Sequence, residues 1–562
     1  MKFNPKDFDP RIAYMSMGAY LESYLPTYSG GLEILSGDIL RSCADHRVPI
    51  VGIIQASNSG YYRQMINGDG SQRENDVYWE PKSSLTRIDE TISIEHEGRK
   101  LTVGAEVFVI EGVTGYKVPV FLLDTDFDCN SIEDRGITGM LYGNQQRIAQ
   151  ENVLGQAGVK LMKKLGYDIE KFHMNEGHAA FGALELLAEG YSTNEVRDNC
   201  VFTTHTPVVA GHDQWDYGAA GHVVGKLLPE NIRELAGKNN LNMTQLALNL
   251  SGYVNAVSKK HAEVCISMGL FNGRKIDYIT NGVHPSTWVG HNMHELFNRH
   301  FNEWRLDSRS LEGALDHIPI GHVLGAKDKA KRRMIGWLNA ENDVKLSQDP
   351  LTIVWARRFA PYKRPDLILR DVDKLHQLAE KYGKLQILFA GKPHPEDWEG
   401  KGLLQQVVQT SKELANDVRC AFIEGYDTKI AKRLLAGADV WLNTPRRPEE
   451  ASGTSGMKAL FNGTLNLSVF DGWVPEGVEI DPKALFLIGP QSDQVAVNSD
   501  RGQEDEVDAQ GLYDGLEEIM DLFNNKKALG ERMLHSISLA PRFSTDRVVK
   551  EYADKAWSVK LY

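Results

Sequence analysis

A lysine stands eight residues after a glutamate, with two glycines between them, in the segment Glu450-Ala451-Ser452-Gly453-Thr454-Ser455-Gly456-Met457-Lys458. A loop this rich in Gly, Ser and Thr exposes backbone N–H groups that can wrap an anion. A helix starting near Thr454 would aim its positive end at the same point. A lysine inside such a cradle can carry a phosphorylated aldehyde covalently. The same residue types also make an ordinary capped helix start with a solvated lysine, and the loop alone does not separate the two.

A second constellation is basic. Arg357-Arg358-Phe359-Ala360-Pro361-Tyr362-Lys363-Arg364 packs four cations into eight residues directly after the apolar run Leu351-Thr352-Ile353-Val354-Trp355-Ala356. Placed at the carboxyl end of a strand, that charge suffices for two phosphates, and the guanidinium fork suits phosphate oxygens. The plainer alternative is a solvated basic turn.

Tyr28-Ser29-Gly30-Gly31-Leu32 is a glycine turn leading into a helical pattern through Leu35, Ile39 and Leu40, where backbone amides can approach an anion. Thr203-Thr204-His205-Thr206-Pro207 ends a strand with groups suited to sugar hydroxyls. Asn281-Gly282-Val283-His284-Pro285 and Asn175-Glu176-Gly177-His178 are polar turns of the same kind. Isolated histidines are more often structural, and none of these has metal-ligand spacing on a helix, so no metal site is expected.

Positioning these groups requires strands that end where the polar turns begin. Leu351–Ala356, Leu385–Ala390, Cys420–Ile423 and Val440–Leu442 read as buried strands alternating with amphipathic helices, one of them opened by Pro365 and running through Ile368, Val372, Leu375 and Ala379. Such βαβ repetition predicts a mostly parallel sheet covered on both faces. The first half offers Ile12–Met15, Val118–Leu122, Val201–Thr203 and Tyr278–Ile279 as further strands. The stretch 292–339 reads as helical and bridging, and the acid-rich run 503–508 as an exposed loop. Ser544-Thr545-Asp546 caps a last helix through Val548, Tyr552 and Trp557. In open sheets of this class ligands bind beyond the carboxyl ends of the strands, where all the polar turns fall.

At 562 residues with 42% apolar and 25% charged content, the chain has the composition of a soluble globular protein of two or three domains. A formal net charge of −13 argues against nucleic-acid binding. Five scattered cysteines have neither redox nor metal-ligand spacing. The first residues lack a signal-peptide core and no apolar run is long enough to span a bilayer, so a cytoplasmic protein without membrane contact is expected.

Taken together the motifs resemble the α-glucan (glycogen, starch or maltodextrin) phosphorylase family, its compact bacterial and archaeal branch above all. The similarity runs from about Ile12 to Trp557 and is most specific in 450–458, continuing into Asn462-Gly463 and Asp471-Gly472, together with 356–364. It implies an α/β protein of two Rossmann-like domains facing a central cleft (the GT-B architecture), with a C-terminal helix packing back on the N-terminal domain. The expected boundaries are 1–288 for the glucan and phosphate domain, 289–545 for the cofactor domain and 546–562 for the returning helix. By the resemblance Lys458 carries pyridoxal 5'-phosphate, whose phosphate is held by Thr454, Ser455 and Arg357. Arg358, Lys363 and the Gly31 amide, in the turn Gly30-Gly31-Leu32, bind the attacking inorganic phosphate. His205, Asn281, Glu450, Ala451, Ser452 and Gly453 contact the glucosyl unit. The implied reaction is reversible phosphorolysis of a terminal α-1,4-linked glucose, from a glucan or maltodextrin, to glucose 1-phosphate. In that reaction the cofactor phosphate acts as a proton relay. Members commonly form homodimers.

Two positions depart from the family pattern. Gly18 stands where the family carries glutamate, and Glu33 where a glycine usually follows Gly31-Leu32. A carboxylate one turn from a phosphate loop repels anions, whereas at a helix start the dipole favours it. Two rival readings accompany the first. A nucleotide-sugar glycosyltransferase of the glycogen-synthase type would usually carry a second glutamate where Lys458 stands. A non-catalytic glucan-binding homologue would bind oligosaccharide without turnover.

Overall fold

A computed structural model describes residues 3–561 except 26, 80–84, 143–145, 272, 343, 415–416 and 492–499. The chain divides into two compact units. The first comprises Met1–Tyr61, Asp76–Thr280 and Val548–Tyr562, the second Tyr62–Asn75 and Asn281–Arg547.

In the first unit a long sheet runs in the order Asp277–Tyr278, Tyr253–Ala256, Cys200–Thr203, Lys171–Asn175, Ile12–Met15, Ile50–Gln55, Lys117–Asp124, Arg99–Glu111. Pairing is parallel up to Lys117–Asp124 and antiparallel beyond it. Successive side chains of one strand enter different cores. Ala13 and Met15 join Val51, Ile53 and Phe121 on one face, while Ile12 and Tyr14 join Ile50, Ile54 and Leu122 on the other. The second core also takes in Leu35, Ile39 and Cys43 of the helix Gly31–Asp45 and Val548, Tyr552 and Trp557 of the terminal segment. Both faces are covered by apolar cores, as the continuous apolar strands require.

In the second unit six parallel strands lie in the order Val418–Ile423, Leu385–Ala390, Leu351–Ala356, Val440–Asn443, Leu465–Val469, Leu485–Ile488. Chain order reverses between Leu351–Ala356 and Val440–Asn443, the switch point at which such sheets bind ligands. Aspartates start the intervening helices: Asp371, Asp397 and Asp427 each accept a backbone N–H of the first turn that follows.

Three expectations are corrected. The helix after the basic cluster begins at Val372 rather than Pro365, because Arg364 adopts a left-handed φ of 44° and Leu367–Leu369 forms only a single tight turn before the Asp371 cap. The acidic run 503–508 is no loop; it lies in the helix Arg501–Asn524, with Glu504 and Asp508 buried. The stretch 292–339 includes the helices His291–His300 and Ile320–Glu341, and all of it belongs to the second unit. Two segments within the first 288 residues also group with the second unit. The hairpin Arg63–Asn75 bonds to the rest of it through Gln64, which donates to the Gly391 carbonyl, and Glu74, which pairs with Lys401, and Val283 exchanges backbone hydrogen bonds with Phe543 and Thr545.

Candidate active site

In the second unit the basic cluster divides according to what its cations meet. Arg357, the first residue past its strand, is buried and donates from Nη2 to the Leu442 carbonyl of the neighbouring strand. Its buried Nε has no partner among the described residues. Burial lowers its pKa to about 10 against the opposing pull of Glu450, so it stays cationic at neutral pH. Arg358 is exposed. Lys363 is buried and ion-paired with Glu450. Arg364 points elsewhere, donating to Asp505 at 2.9 Å and to Asp508 at 2.6 Å. Arg446 and Arg447 join the same acids, at 2.8 Å to Asp505 and 2.7 Å to Asp508. Asp505 and the buried Asp508 of helix Arg501–Asn524 therefore tie the end of the basic loop, at Arg364, to the loop that follows Val440–Asn443, at Arg446 and Arg447.

The loop 450–453 is clamped from behind. Glu450 N–H donates to Asp471 Oδ2 at 2.9 Å, and Trp473 N–H donates to the Ser452 carbonyl at 3.0 Å. Gly472 makes this approach feasible, since its φ is +61° and a Cβ there would run into the Ser452 carbonyl. The Ser452 hydroxyl is buried with no partner among the described residues. Thr454 precedes the short helix Ser455–Leu460 without a side-chain hydrogen bond to its first turn, and the helix buries Lys458. The Lys458 ammonium lies 3.9 Å from the centre of the buried Trp288 ring. Asn462 sets that contact: its side chain donates to the carbonyls of both Lys458 and Trp288 at 2.9 Å, and accepts the Gly290 N–H at 2.7 Å.

In the first unit, His205 and the glycine turn are joined by a hydrogen-bonded chain. His205 Nε2 donates to Asn175 Oδ1 at 2.7 Å, Asn175 Nδ2 donates to Ser36 Oγ at 3.0 Å, and the Ser36 hydroxyl donates to the Leu32 carbonyl at 3.0 Å. Because Asn175 presents its amide nitrogen to Ser16 and Ser36, the network assigns the proton to His205 Nε2, leaving Nδ1 an acceptor. Burial lowers the His205 pKa to about 3, so the ring is neutral. Glu176, held at φ +74°, accepts the His205 N–H at 2.7 Å and the Thr206 hydroxyl at 3.0 Å. The Gly30 N–H is taken by Glu33 Oε2 at 2.7 Å, whereas Gly31 and Leu32 open the helix Gly31–Asp45. Asn281 is buried and belongs to the second unit, its carbonyl accepting from Arg547 at 3.1 Å.

Asn462 and Asp471 fall in the motif continuation Asn462-Gly463 and Asp471-Gly472, though their holding roles do not show in the sequence; Trp288 has no local signal at all. Asn175 and Glu176 had been singled out only as part of a histidine turn. Among the described residues there is no cluster of three metal-ligating side chains, and no helix long and apolar enough to cross a membrane.

Comparison with known proteins agrees with this arrangement. The sequence profile of the carbohydrate phosphorylase family matches residues 225–514. The chain is 38% identical to the maltodextrin phosphorylase of Thermococcus litoralis, over 99% of this chain and 71% of that protein. It is 32% identical to the glycogen phosphorylase of Aquifex aeolicus, over 97% of this chain and 86% of that one. An uncharacterized protein of Methanocaldococcus jannaschii is 31% identical over 97% of this chain and 99% of its own length. With two α/β units, a loop at the switch point of the second that leads into the helix carrying Lys458, and identity that extends over nearly the whole chain, the protein belongs to the carbohydrate phosphorylase family.

Proposed function

We propose that this chain is an α-1,4-glucan phosphorylase that holds pyridoxal 5'-phosphate at Lys458. The observation that carries the reading is Arg357. A buried guanidinium with an unpartnered Nε is costly unless an anion completes it. It lies at the switch point of the sheet whose next loop ends in Lys458, and that loop holds a second unpartnered buried donor, the Ser452 hydroxyl. An anionic group linked to an amine-reactive carbonyl fits that donor set, with Arg357, Thr454 and Ser455 as phosphate ligands and Lys458 as the point of attachment. Bound there, the cofactor would supply a phosphate able to give and take a proton.

The remaining roles are those the family resemblance implies, and the charge and hydrogen-bonding capacity of the residues suit them. Arg358 and Lys363 bind inorganic phosphate and stabilise charge as its oxygen attacks C1 of the terminal glucose. The bond from C1 to the glucan oxygen breaks, the leaving 4-hydroxyl takes a proton, and glucose 1-phosphate remains. The Gly31 and Leu32 amides add donors to the phosphate. His205 Nδ1 accepts from a sugar hydroxyl, a task a neutral ring performs and a charged one does not. Asn281, Glu450, Ala451, Ser452 and Gly453 bind further hydroxyls. Glu450 is committed to Lys363, which disfavours a hydrolase built on two free carboxylates.

The test mixes purified protein with maltodextrin and inorganic phosphate and follows glucose 1-phosphate. Release in the wild type and loss in Lys458→Ala support the proposal. Consumption of a nucleotide-glucose in place of phosphate would favour the synthase-like reading. Oligosaccharide binding without turnover would favour a binding protein.

A further inference from the structure

The two departures from the family pattern touch each other. A Cβ at Gly18 would lie 2.9 Å from Glu33 Cγ, 3.2 Å from Leu141 Cδ2 and 2.5 Å from the Thr27 carbonyl oxygen. Residue 18 therefore has no room for a side chain, and Glu33 is one of the groups filling the space. Glu33 is 1% exposed, yet its carboxylate is well partnered. Oε2 accepts the Gly30 N–H at 2.7 Å and the Ser29 N–H at 3.3 Å, while Oε1 accepts the Tyr142 hydroxyl. The Tyr142 ring in turn lies under the Arg147 guanidinium, 4.4 Å from its centre, and Arg147 pairs with Asp213 at 2.9 Å.

We propose that Glu33 is a positioning residue for the glycine turn and that Gly18 and Glu33 form one coupled pair, the missing side chain at 18 making room for the carboxylate from 33. The claim rests on the phosphorylase reading only where it concerns phosphate. By occupying the Gly30 N–H, Glu33 decides which donors of the turn an anion can meet. The free N–H groups of a helix start are those of its first turn, here led by Gly31 and Leu32. The same bonds neutralise the objection that a carboxylate near a phosphate loop must repel anions: its oxygens face the Gly30 amide and Tyr142, and the turn is stapled in one shape.

The experiment is a cycle of Gly18→Ala, Glu33→Ala and the double variant, with Glu33→Gln added, on protein isolated with its cofactor. Melting temperature reads the coupling whether or not the chain is a phosphorylase. Gly18→Ala should lower it by several degrees, on the order of 4 °C, in the wild type and by clearly less in the Glu33→Ala background. The clash with Thr27 is common to both backgrounds and cancels. Equal losses in the two backgrounds overturn the coupling. Steady-state kinetics read the positioning role. Glu33→Ala should raise KM for inorganic phosphate about tenfold with KM for maltodextrin unchanged, and Glu33→Gln should fall between, since its amide keeps one acceptor oxygen. An unchanged or lowered KM for phosphate in both variants overturns the positioning role. If the wild type forms no glucose 1-phosphate, the proposed function fails, while the melting cycle still decides the pairing.

Discussion

Lys363 Nζ donates to Glu450 Oε2 in an ion pair whose side chains are only 11% and 15% exposed. In the proposed roles the lysine meets phosphate and the glutamate meets sugar, and the pair would keep both charges compensated until ligands arrive. Lys363→Ala should lower kcat/KM for phosphate by about 10²–10³-fold, as loss of a cation at developing charge does. Lys363→Met and Glu450→Gln should each destabilise by roughly 1–3 kcal/mol, and their double variant by less than the sum. Urea unfolding of the four proteins measures the cycle, and additivity would refute the pairing.

Gly472→Ala probes the clamp behind residues 450–453. A methyl group there meets the Ser452 carbonyl at a φ of +61°, so a cost of roughly 1–3 kcal/mol is expected. The variant should also retain less cofactor than the wild type after gel filtration. Full retention and unchanged stability would show that the loop accommodates the change.

Asp508 is fully buried and accepts from Arg364 at 2.6 Å and Arg447 at 2.7 Å. Asp508→Asn leaves those guanidinium groups short of one charge, and a loss of about 3–5 kcal/mol is expected. The lower urea midpoint should be accompanied by a raised KM for phosphate, because Arg364 adjoins Lys363. A stable variant with unaltered KM would remove these acids from any account of the basic loop.

The same helix shows where sequence stopped being legible. An acid-rich run resembles solvent-exposed chain when its partners lie some 60 to 140 positions away, and nothing local reveals that Arg364, Arg446 and Arg447 converge on it. Strands such as Leu351–Ala356 were legible because burial on both faces forces a continuous apolar run, and Lys458 because the loop before it has a strongly biased composition. Trp288 was not, since it meets Lys458 from 170 positions away in the chain, a pairing that no local spacing marks. The closeness of Gly18 to Glu33, fifteen positions on, likewise exists only in the folded chain.

Acid should weaken the first unit. Burial lowers the pKa of His173, His178 and His205 to about 3, and of His212 and His261 to about 4. A histidine depressed in the folded state contributes stability that is present above its unfolded pKa near 6.5 and lost as pH falls, because the unfolded chain binds the extra proton. Glu151, Glu176 and Glu185 are raised by burial and act in the opposite sense, but they are fewer. The urea midpoint should be lower at pH 5 than at pH 7. A midpoint that stays level or rises would contradict the neutral, buried histidines on which the role of His205 depends.

The central claim is the attachment at Lys458, and borohydride reduction of freshly isolated protein followed by peptide mass mapping tests it most directly. The account predicts a pyridoxyl phosphate mass increment on the peptide containing Lys458 and on no other. An unmodified Lys458 in protein produced with ample vitamin B6, or an increment on a different lysine, would contradict it.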